Sequence, residues 1–206
     1  LFFVFLAVLG LLIDWITKWE VDSSGSGIPQ VYAEVKGHME ANWAKVLFSK
    51  IVAGVMTALG GLSLGPEGPS VQIGGMAGKG VARLFKGSKT DELRLILVGS
   101  AVGITAAFNA PLAGVLFVME EINHGFDKTL IFIALVSAIV SDFISKSIFG
   151  QSTVLTFPIN NIPLENYWIL IVLGIVIGVI GYVYNIGMIK SSDFVNSLKI
   201  PSQLKF

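Results

Sequence analysis

The sequence lacks cysteine and contains few charged residues. Because none of the 206 residues is cysteine, disulfides, thiol chemistry and cysteine-ligated metal sites are excluded. Lysine plus arginine and aspartate plus glutamate number 14 each, so the formal net charge is zero, and no basic surface for nucleic acid is expected. Only 14% of the residues are charged, against roughly 25% in an average soluble domain. This composition is typical of a chain that is largely solvated by lipid.

Apolar residues and glycine are abundant in the sequence. Hydrophobic residues make up 53% of the chain and the mean hydropathy is +0.77. There are 23 glycines, and glycine is common in membrane helices because it lets two backbones approach closely. The first apolar run starts at Leu1 without a preceding basic region, so we interpret residues 1–13 as a truncated helix rather than a signal peptide.

Four stretches are predicted to cross a membrane. A helix needs about 20 residues to span the roughly 30 Å hydrocarbon core. Residues 166–189 carry no charge and begin with a tyrosine and a tryptophan, which are typical of membrane interfaces. The other predicted crossings are residues 129–149, residues 43–62 and, as the remnant of a helix, residues 1–19. Asp142 and Lys146 are spaced to pair on one helix face.

Several other apolar segments are interrupted by glycine and proline. Pro111 lacks an N–H group and pushes the residue before it out of the helical region. We therefore expect two half-helices, residues 93–106 and residues 111–123, rather than one crossing. Further short helices are predicted for residues 69–84 and, more weakly, residues 27–39. The charged segments 86–94 and 123–128 are predicted to be aqueous loops.

These breaks point to a bound anion. Non-helical backbone at membrane depth is tolerated only where protein or a water-filled cavity surrounds it, and such segments mark substrate sites in transporters. A helix N-terminus carries roughly half a positive charge and unpaired N–H groups, which suit an anion. Three of the predicted helices begin at glycine or proline breaks, after Gly27, at Gly68-Pro69 and at Pro111. The sequence therefore predicts an anion pathway.

Glu67 is the one charged residue between positions 51 and 78. It stands between the turn signals Gly65-Pro66 and Gly68-Pro69. An ionisable side chain inside a membrane costs about 2.5–3.5 kcal/mol on insertion scales. A carboxylate at a helix N-terminus stabilises the helix by only about 0.3–1 kcal/mol. A helix-capping role alone does not offset that cost, so we interpret Glu67 as functional.

Three motifs carry a family resemblance. They are "GSGIP" at residues 25–29, "GPEGP" at residues 65–69 with the following "SVQIGG", and "AAFNAPLAGVLFVMEE" at residues 106–121. Together, in this order and spacing, they resemble the CLC family of chloride channels and proton-coupled chloride transporters. The resemblance implies an all-α polytopic membrane protein with tilted and broken helices. Residues 1–163 would be the first of two inverted repeats, and residues 164–206 the long helix that opens the second.

The resemblance also implies an anion site. Ser26 matches the serine whose hydroxyl contacts the central chloride. Gly25 and Gly27 match the backbone that lets the anion approach the helix end, and Gly68 belongs to the same implied site. A serine in "GSGIP" goes with a preference for chloride in this family. An ordinary turn or helix cap is the alternative reading of Ser26.

Two carboxylates are implied to move protons. Glu67 matches the gating glutamate, which occupies an anion site when deprotonated, and Glu121 matches the inner proton-transfer glutamate of exchangers. The alternative interpretation of Glu121 is that it forms a solvated acidic pair with Glu120 and has no role in proton transfer. Pro66 departs from the family pattern, which usually has lysine or arginine there, so a cation and an N–H donor are missing beside the site. Gln30 likewise replaces an acid.

The expected function is selective chloride transport, as a chloride/proton exchanger or alternatively as a passive voltage- or pH-gated chloride channel. The expected partners are chloride, protons and the lipid bilayer, with no nucleic acid, cofactor or metal. The resemblance implies a multi-pass homodimer in the cell inner or plasma membrane, with residues 111–123 and 129–149 in the interface. No enzyme is expected, because an intramembrane serine hydrolase using Ser24 or Ser26 with His38 or His124 lacks the Gly-x-Ser-x-Gly elbow. A structural or regulatory membrane subunit is the remaining alternative.

Overall fold

Most of the chain that the structure describes is helical. This computed structural model describes residues 2–62, 64–150 and 163–197. The chain divides into two compact units, Leu1–Thr156 and Phe157–Phe206. The α-helices are α1 Phe2–Trp19, α2 Ile28–Val35, α3 Trp43–Leu59, α4 Glu67–Leu84, α5 Lys89–Phe108, α6 Pro111–Phe117, α7 Lys128–Phe149 and α8 Trp168–Ser197. The predicted boundary between residues 163 and 164 falls inside the second unit.

Close contact between α4 and α5 forms the centre of the first unit. A Cβ added at Gly74 would overlap the carbonyl oxygen of Gly99, and one added at Gly99 would overlap that of Gly74. A Cβ at Gly78 would overlap the carbonyl oxygen of Leu95. The two backbones therefore touch along a glycine stripe, as the Gly-x-x-x-Gly spacing of residues 74–78 predicts.

Apolar side chains from α2, α4, α5, α6 and α7 close the core around this contact. The central members are fully buried, which places α5 in the middle of the first unit. The buried core residues are Val31, Val71, Ile96, Leu97, Val98, Ala101, Ile104, Val115, Val118, Met119, Ile122, Leu130, Ala134 and Ala138.

The prediction of an aqueous loop over residues 86–94 is wrong from Lys89 onward. The helix α5 begins at Lys89 because Ser88 and Asp91 form a capping box. The Asp91 N–H donates to the Ser88 Oγ at 3.2 Å, and the Ser88 N–H donates to the Asp91 Oδ2 at 3.0 Å. Reciprocal caps satisfy the free N–H groups of the first turn, so the charged residues continue the helix outward from the apolar part.

Two predicted helices end earlier than their apolar pattern does. The helix α2 ends at Val35 instead of residue 39, and α3 ends at Leu59 instead of residue 62. Gly37 and Gly61 follow them with left-handed backbone, at φ 75° and 73°. Glycine adopts this conformation without steric cost and commonly terminates helices.

Ion pairs tie together the ends of α4 and α5 and the linker before α3. Arg83 donates from Nε to the Glu92 Oε2 at 2.8 Å and from Nη2 to the Glu40 Oε1. Lys89 adds a bond of 2.6 Å to the Glu92 Oε1. The Arg83 hydrogen bond, assisted by the charge of Lys89, lowers the pKa of the Glu40 carboxyl. This network therefore stays ionised at neutral pH.

Long apolar helices complete each unit. Lys128–Phe149 in the first unit and Leu164–Ser191 in the second are long and apolar enough to cross a membrane. Lys146 Nζ donates to the Asp142 Oδ2 at 2.6 Å within α7, which confirms the predicted pairing. In α8 a Cβ added at Gly174 or Gly178 would meet no described atom within 4 Å. These two glycines have the Gly-x-x-x-Gly spacing that is typical of close helix packing, but such packing is not seen within the described residues.

Candidate anion site

The start of α2 lies against the start of α4. Gly27, directly before α2, has a left-handed backbone with φ 103°. A Cβ added there would lie 2.8 Å from the Gln72 Cβ and 3.0 Å from the Gly68 carbonyl oxygen. A Cβ added at Gly68 would overlap the carbonyl oxygen and the Oγ of Ser26. The structure thus brings together Ser26, Gly27 and Gly68, which the sequence analysis placed in one anion site.

Both helices present the free N–H groups of their first turn at this contact. The backbone ladder starts with Val31 N–H to the Gly27 carbonyl at 3.1 Å in α2, and with Ser70 N–H to the Pro66 carbonyl at 2.9 Å in α4. The N–H groups before the first ladder donor have no partner within their own helix. Two positive helix ends therefore meet at the Ser26–Gly68 contact.

Lys50 is a site residue that the sequence analysis missed. It extends from α3, with a relative exposure of 5%, and its Nζ donates to the Ser23 carbonyl at 2.9 Å and to the Gly25 carbonyl at 2.7 Å. Gly25 has a left-handed backbone with φ 67° and lies next to Ser26. The buried ammonium therefore fixes the loop before α2 and adds positive charge beneath it. The available signal was its position, since Lys50 is the second of two lysines in the apolar run of residues 43–62 and is followed by an uncharged stretch.

Gln72 is the second residue that was missed. Its side chain is 1% exposed, and its Nε2 donates to the Asp22 carbonyl at 2.7 Å. Its Oε1 is buried without a hydrogen-bond partner among the described residues. The side chain lies under Gly27 and links α4 to the loop that carries Ser26. The motif "SVQIGG" contained this glutamine, but its spacing alone did not indicate that it faces the loop.

Glu67 lies in the first turn of α4, because the helix begins two residues earlier than predicted, with Pro66 as its N-cap. The side chain is exposed. It folds back over the preceding turn, so that a Cβ added at Gly65 would lie 2.9 Å from the Glu67 Cδ. The carboxylate thus stands at the positive end of α4, one residue before Gly68. Its described contact is with Gly65, whereas Ser26 contacts Gly68.

The predicted break before Pro111 is present. Asn109 ends α5 with a left-handed backbone, φ 54°, Ala110 is not helical, and α6 begins at Pro111. A Cβ added at Gly114 would lie 2.7 Å from the Thr105 Oγ1, so α6 folds back against α5. The third helix that was predicted to start at a proline break therefore does so.

Glu120 and Glu121 lie together on a π-helical turn, Val118–Asn123, that continues α6. Both are exposed, so burial does not distinguish them. At about 1.5 Å per residue, Glu121 lies roughly 15 Å along this segment from Pro111. π-helical turns occur frequently at functional sites. His124 follows the turn and contacts the ring of Tyr32 in α2, with ring centroids 5.4 Å apart.

Comparisons with known proteins agree with the helical fold. The model of the voltage gated chloride channel family matches residues 9–206. The chain is also similar to the crystal structure of a slow cyanobacterial Cl⁻/H⁺ antiporter, with 33% sequence identity and a TM-score of 0.83. That match covers 98% of this chain and 49% of the antiporter chain, so the chain spans about half the length of that structure. A family match over nearly the whole sequence, together with the same fold, shows that the chain belongs to the CLC family of voltage-gated chloride channels, a family of membrane proteins.

Proposed function

We propose that this chain forms one half of a chloride transporter that exchanges chloride for protons, with Glu67 as its gate. The observation that carries the proposal is the meeting of two helix N-termini at the Ser26–Gly68 contact. The similarity to a protein described as a Cl⁻/H⁺ antiporter supports exchange rather than passive conduction.

The anion is held by backbone N–H groups and one hydroxyl. Ser26 supplies the hydroxyl donor, and Gly27 and Gly68 let the starts of α2 and α4 come into contact, because a Cβ at either position would overlap Ser26 or Gln72. Lys50 binds the carbonyl oxygens of Ser23 and Gly25, so these acceptors are directed at the lysine rather than at the anion. Helix ends and a fixed cation stabilise chloride without forming a covalent bond.

Glu67 acts as a competitor of the anion. A deprotonated carboxylate and chloride are both attracted to the positive end of α4. Because Glu67 is exposed and one residue from Gly68, a rotation of its side chain is enough to exchange its place over Gly65 for a place over the helix end. Protonation removes the negative charge and frees the site, so acid accelerates transport.

Glu121 supplies protons to Glu67 from the other end of the α6 segment. It is exposed and lies roughly 15 Å from the start of α6, so it can load protons from water while α6 begins near the pore. A passive channel needs no second side chain that binds and releases protons. Glu121 therefore distinguishes an exchanger from a voltage- or pH-gated channel.

The whole protein is proposed to be a multi-pass homodimer in the cell inner or plasma membrane. Residues 1–163 form the first inverted repeat and residues 164–206 open the second. The exposed apolar side chains of α7, such as Phe132, Val140 and Phe143, suit contact with lipid or with another subunit. The segments 111–123 and 129–149 contribute to the dimer interface, and each subunit has its own pore.

The test is simultaneous recording of chloride and proton movement in liposomes that contain the whole protein. The proposal predicts that a chloride gradient drives protons uphill. Chloride flux without proton movement would leave the channel as the function, and no chloride flux would reject both.

Replacing Glu121 by glutamine tests whether proton movement can be separated from chloride movement. The change keeps the shape of the side chain but removes the carboxylate that can bind a proton. We expect chloride flux to stay within about twofold of the wild type, because no anion contact is lost, while chloride-driven proton movement falls by at least about tenfold, within the range of general acid–base effects. Glu120→Gln is the matched control on the same exposed turn. Proton movement that survives Glu121→Gln and is lost in Glu120→Gln assigns the role to Glu120.

A further inference from the structure

The helices α2 and α4 are joined at a second place, away from the anion site. Lys79 of α4 and Glu34 of α2 form an ion pair in which the two side chains are 0% and 1% exposed. Lys79 Nζ donates to the Glu34 Oε1 and, at 2.7 Å, to the carbonyl oxygen of Ala41. Neither side chain belongs to the proposed chloride or proton path.

The two contacts have the same register. Gly27 meets Gln72 at the start of α2, and Glu34 meets Lys79 near its end. Both residues of the second contact lie seven positions further along their helices, which is about 10 Å, or nearly two turns. At 100° per residue, Gln72 and Lys79 lie within about 20° of each other on α4. The helix α2 therefore runs parallel to α4 along one face and is held at both ends.

A parallel arrangement of this kind requires such a second contact. Two adjacent N-termini, each carrying roughly half a positive charge, repel one another until an anion lies between them. The helix α2 has only eight residues, and isolated helices shorter than about 12 residues are marginal in water. The Lys79 ammonium lies at the C-terminal end of α2, where a cation is favourable. It therefore opposes the separation of α2 from α4.

Stability alone does not account for this ion pair. Buried ion pairs are often no more stabilising than apolar side chains of similar volume, because both charges lose their hydration. Here the second oxygen of Glu34, Oε2, is buried without a hydrogen-bond partner among the described residues, which adds to that cost. The best-attested benefit of a buried polar pair is a fixed register.

We infer that Glu34 and Lys79 are positioning residues that set α2 against α4 and thereby set the spacing between Ser26 and Gly68. This inference rests on the proposed chloride transport. The ion pair of Glu34 and Lys79 changes the affinity for the anion through the relative position of α2 and α4. Neither side chain contacts the anion.

The test is a double-mutant cycle measured as the apparent KM for chloride, using the whole protein in liposomes. Glu34→Leu and Lys79→Met are combined, because either change alone leaves a buried charge without its partner. Ser26→Ala is then introduced into the wild type and into this double variant. Asp142→Leu with Lys146→Met is the control, since it removes an ion pair within α7.

We expect the Glu34/Lys79 double variant to raise the KM about tenfold while its thermal midpoint stays near that of the wild type. Ser26→Ala should raise the KM about tenfold in the wild type, but less than about twofold in the double variant, where the hydroxyl is already displaced. Equal effects of Ser26→Ala in both backgrounds, or a KM unchanged by the double variant, would overturn the inference. The α7 control should leave the KM unchanged.

Glu34→Asp decides the question if the double variant does not fold. It keeps both charges but shortens the acidic side chain by one methylene, so the end of α2 must move to keep the ion pair. An increase in KM supports the inference and an unchanged KM rejects it. The proposed function has a separate failure: if the wild type shows no saturable chloride flux, chloride transport is wrong before any variant is compared.

Discussion

At the scale of single residues, the site combines a few side chains with exposed backbone. Ser26 places its hydroxyl next to Gly68, and Glu67 provides a carboxylate at the start of α4. Lys50 and Gln72 lie underneath and bind the backbone of the loop. In the proposed site the roles are therefore divided between groups that would contact the anion and groups that hold the loop in place.

Replacing Glu67 by glutamine should remove the pH dependence of transport. The amide nearly keeps the shape of the side chain, but it carries no negative charge to compete with chloride at the helix end. We expect wild-type chloride flux to rise several-fold on acidification, and flux through Glu67→Gln to be high and independent of pH. Proton coupling should be lost as well. Efflux from liposomes at a series of pH values measures this.

Glu165→Gln is the matched control for Glu67, because Glu165 is also exposed and also lies in the first turn of a helical segment. It should leave the pH profile unchanged. If Glu67→Gln retains the pH profile of the wild type, this carboxylate only caps α4.

The residues of the site were accessible to sequence reasoning to different degrees. Ser26 and Glu67 stand out because each is a polar residue within a run of glycine and proline. Lys50, Gln72 and Lys79 stand in helices, where the sequence gives a helical position but not the neighbouring helix that the position faces. Their partners are backbone carbonyls or residues more than 20 positions away, and this pairing requires the fold.

At the scale of helices, the starts were more predictable than the ends. The starts of α2 and α6 follow from glycine and proline, because these residues disrupt the helix before them. The apolar pattern overestimated the ends of α2 and α3, where Gly37 and Gly61 terminate the helix before the pattern stops. The start of α5 was missed because a capping box lies within a charged segment.

The contact between α4 and α5 should be sensitive to one methyl group. A Cβ at Gly99 would overlap the carbonyl oxygen of Gly74, so Gly99→Ala must separate the two backbones. We expect a loss of roughly 1–3 kcal/mol in the free energy of unfolding, as for other overpacked cores. Denaturant titration of the detergent-solubilised whole protein, followed by tryptophan fluorescence, measures this loss.

Gly54→Ala provides the comparison in α3. A Cβ there would meet no described atom within 4 Å, and alanine favours a helix over glycine by up to roughly 1 kcal/mol. This variant should be neutral or slightly more stable. Equal stability of Gly99→Ala and Gly54→Ala would show that the helices can separate without cost.

At the scale of the whole molecule, the proposed site is exposed. Ser26 and Glu67 are both exposed, although a selective anion site must replace the water around the ion with protein donors. The chain also spans about half the length of the antiporter structure that it resembles. The proposed function therefore requires further protein to enclose the ion.

The 206-residue chain should not transport chloride by itself. With the site open to water or lipid on one side, the ion gains too few donors to be selected. Chloride efflux from liposomes should equal that of empty liposomes for this chain and should be fast and selective for the whole protein. Selective efflux through the chain alone would contradict the half-site account.

The most direct test of the central claim is the position of a bound halide. Bromide replaces chloride with similar chemistry and has a strong anomalous signal, so crystals of the whole protein grown in bromide locate the ion. We predict an anomalous peak within about 3.5 Å of the Ser26 Oγ, the separation of a hydrogen bond to a large anion, beside the N-termini of α2 and α4. Bromide bound elsewhere in a protein that transports chloride, with no peak beside the Ser26 hydroxyl, would contradict the account.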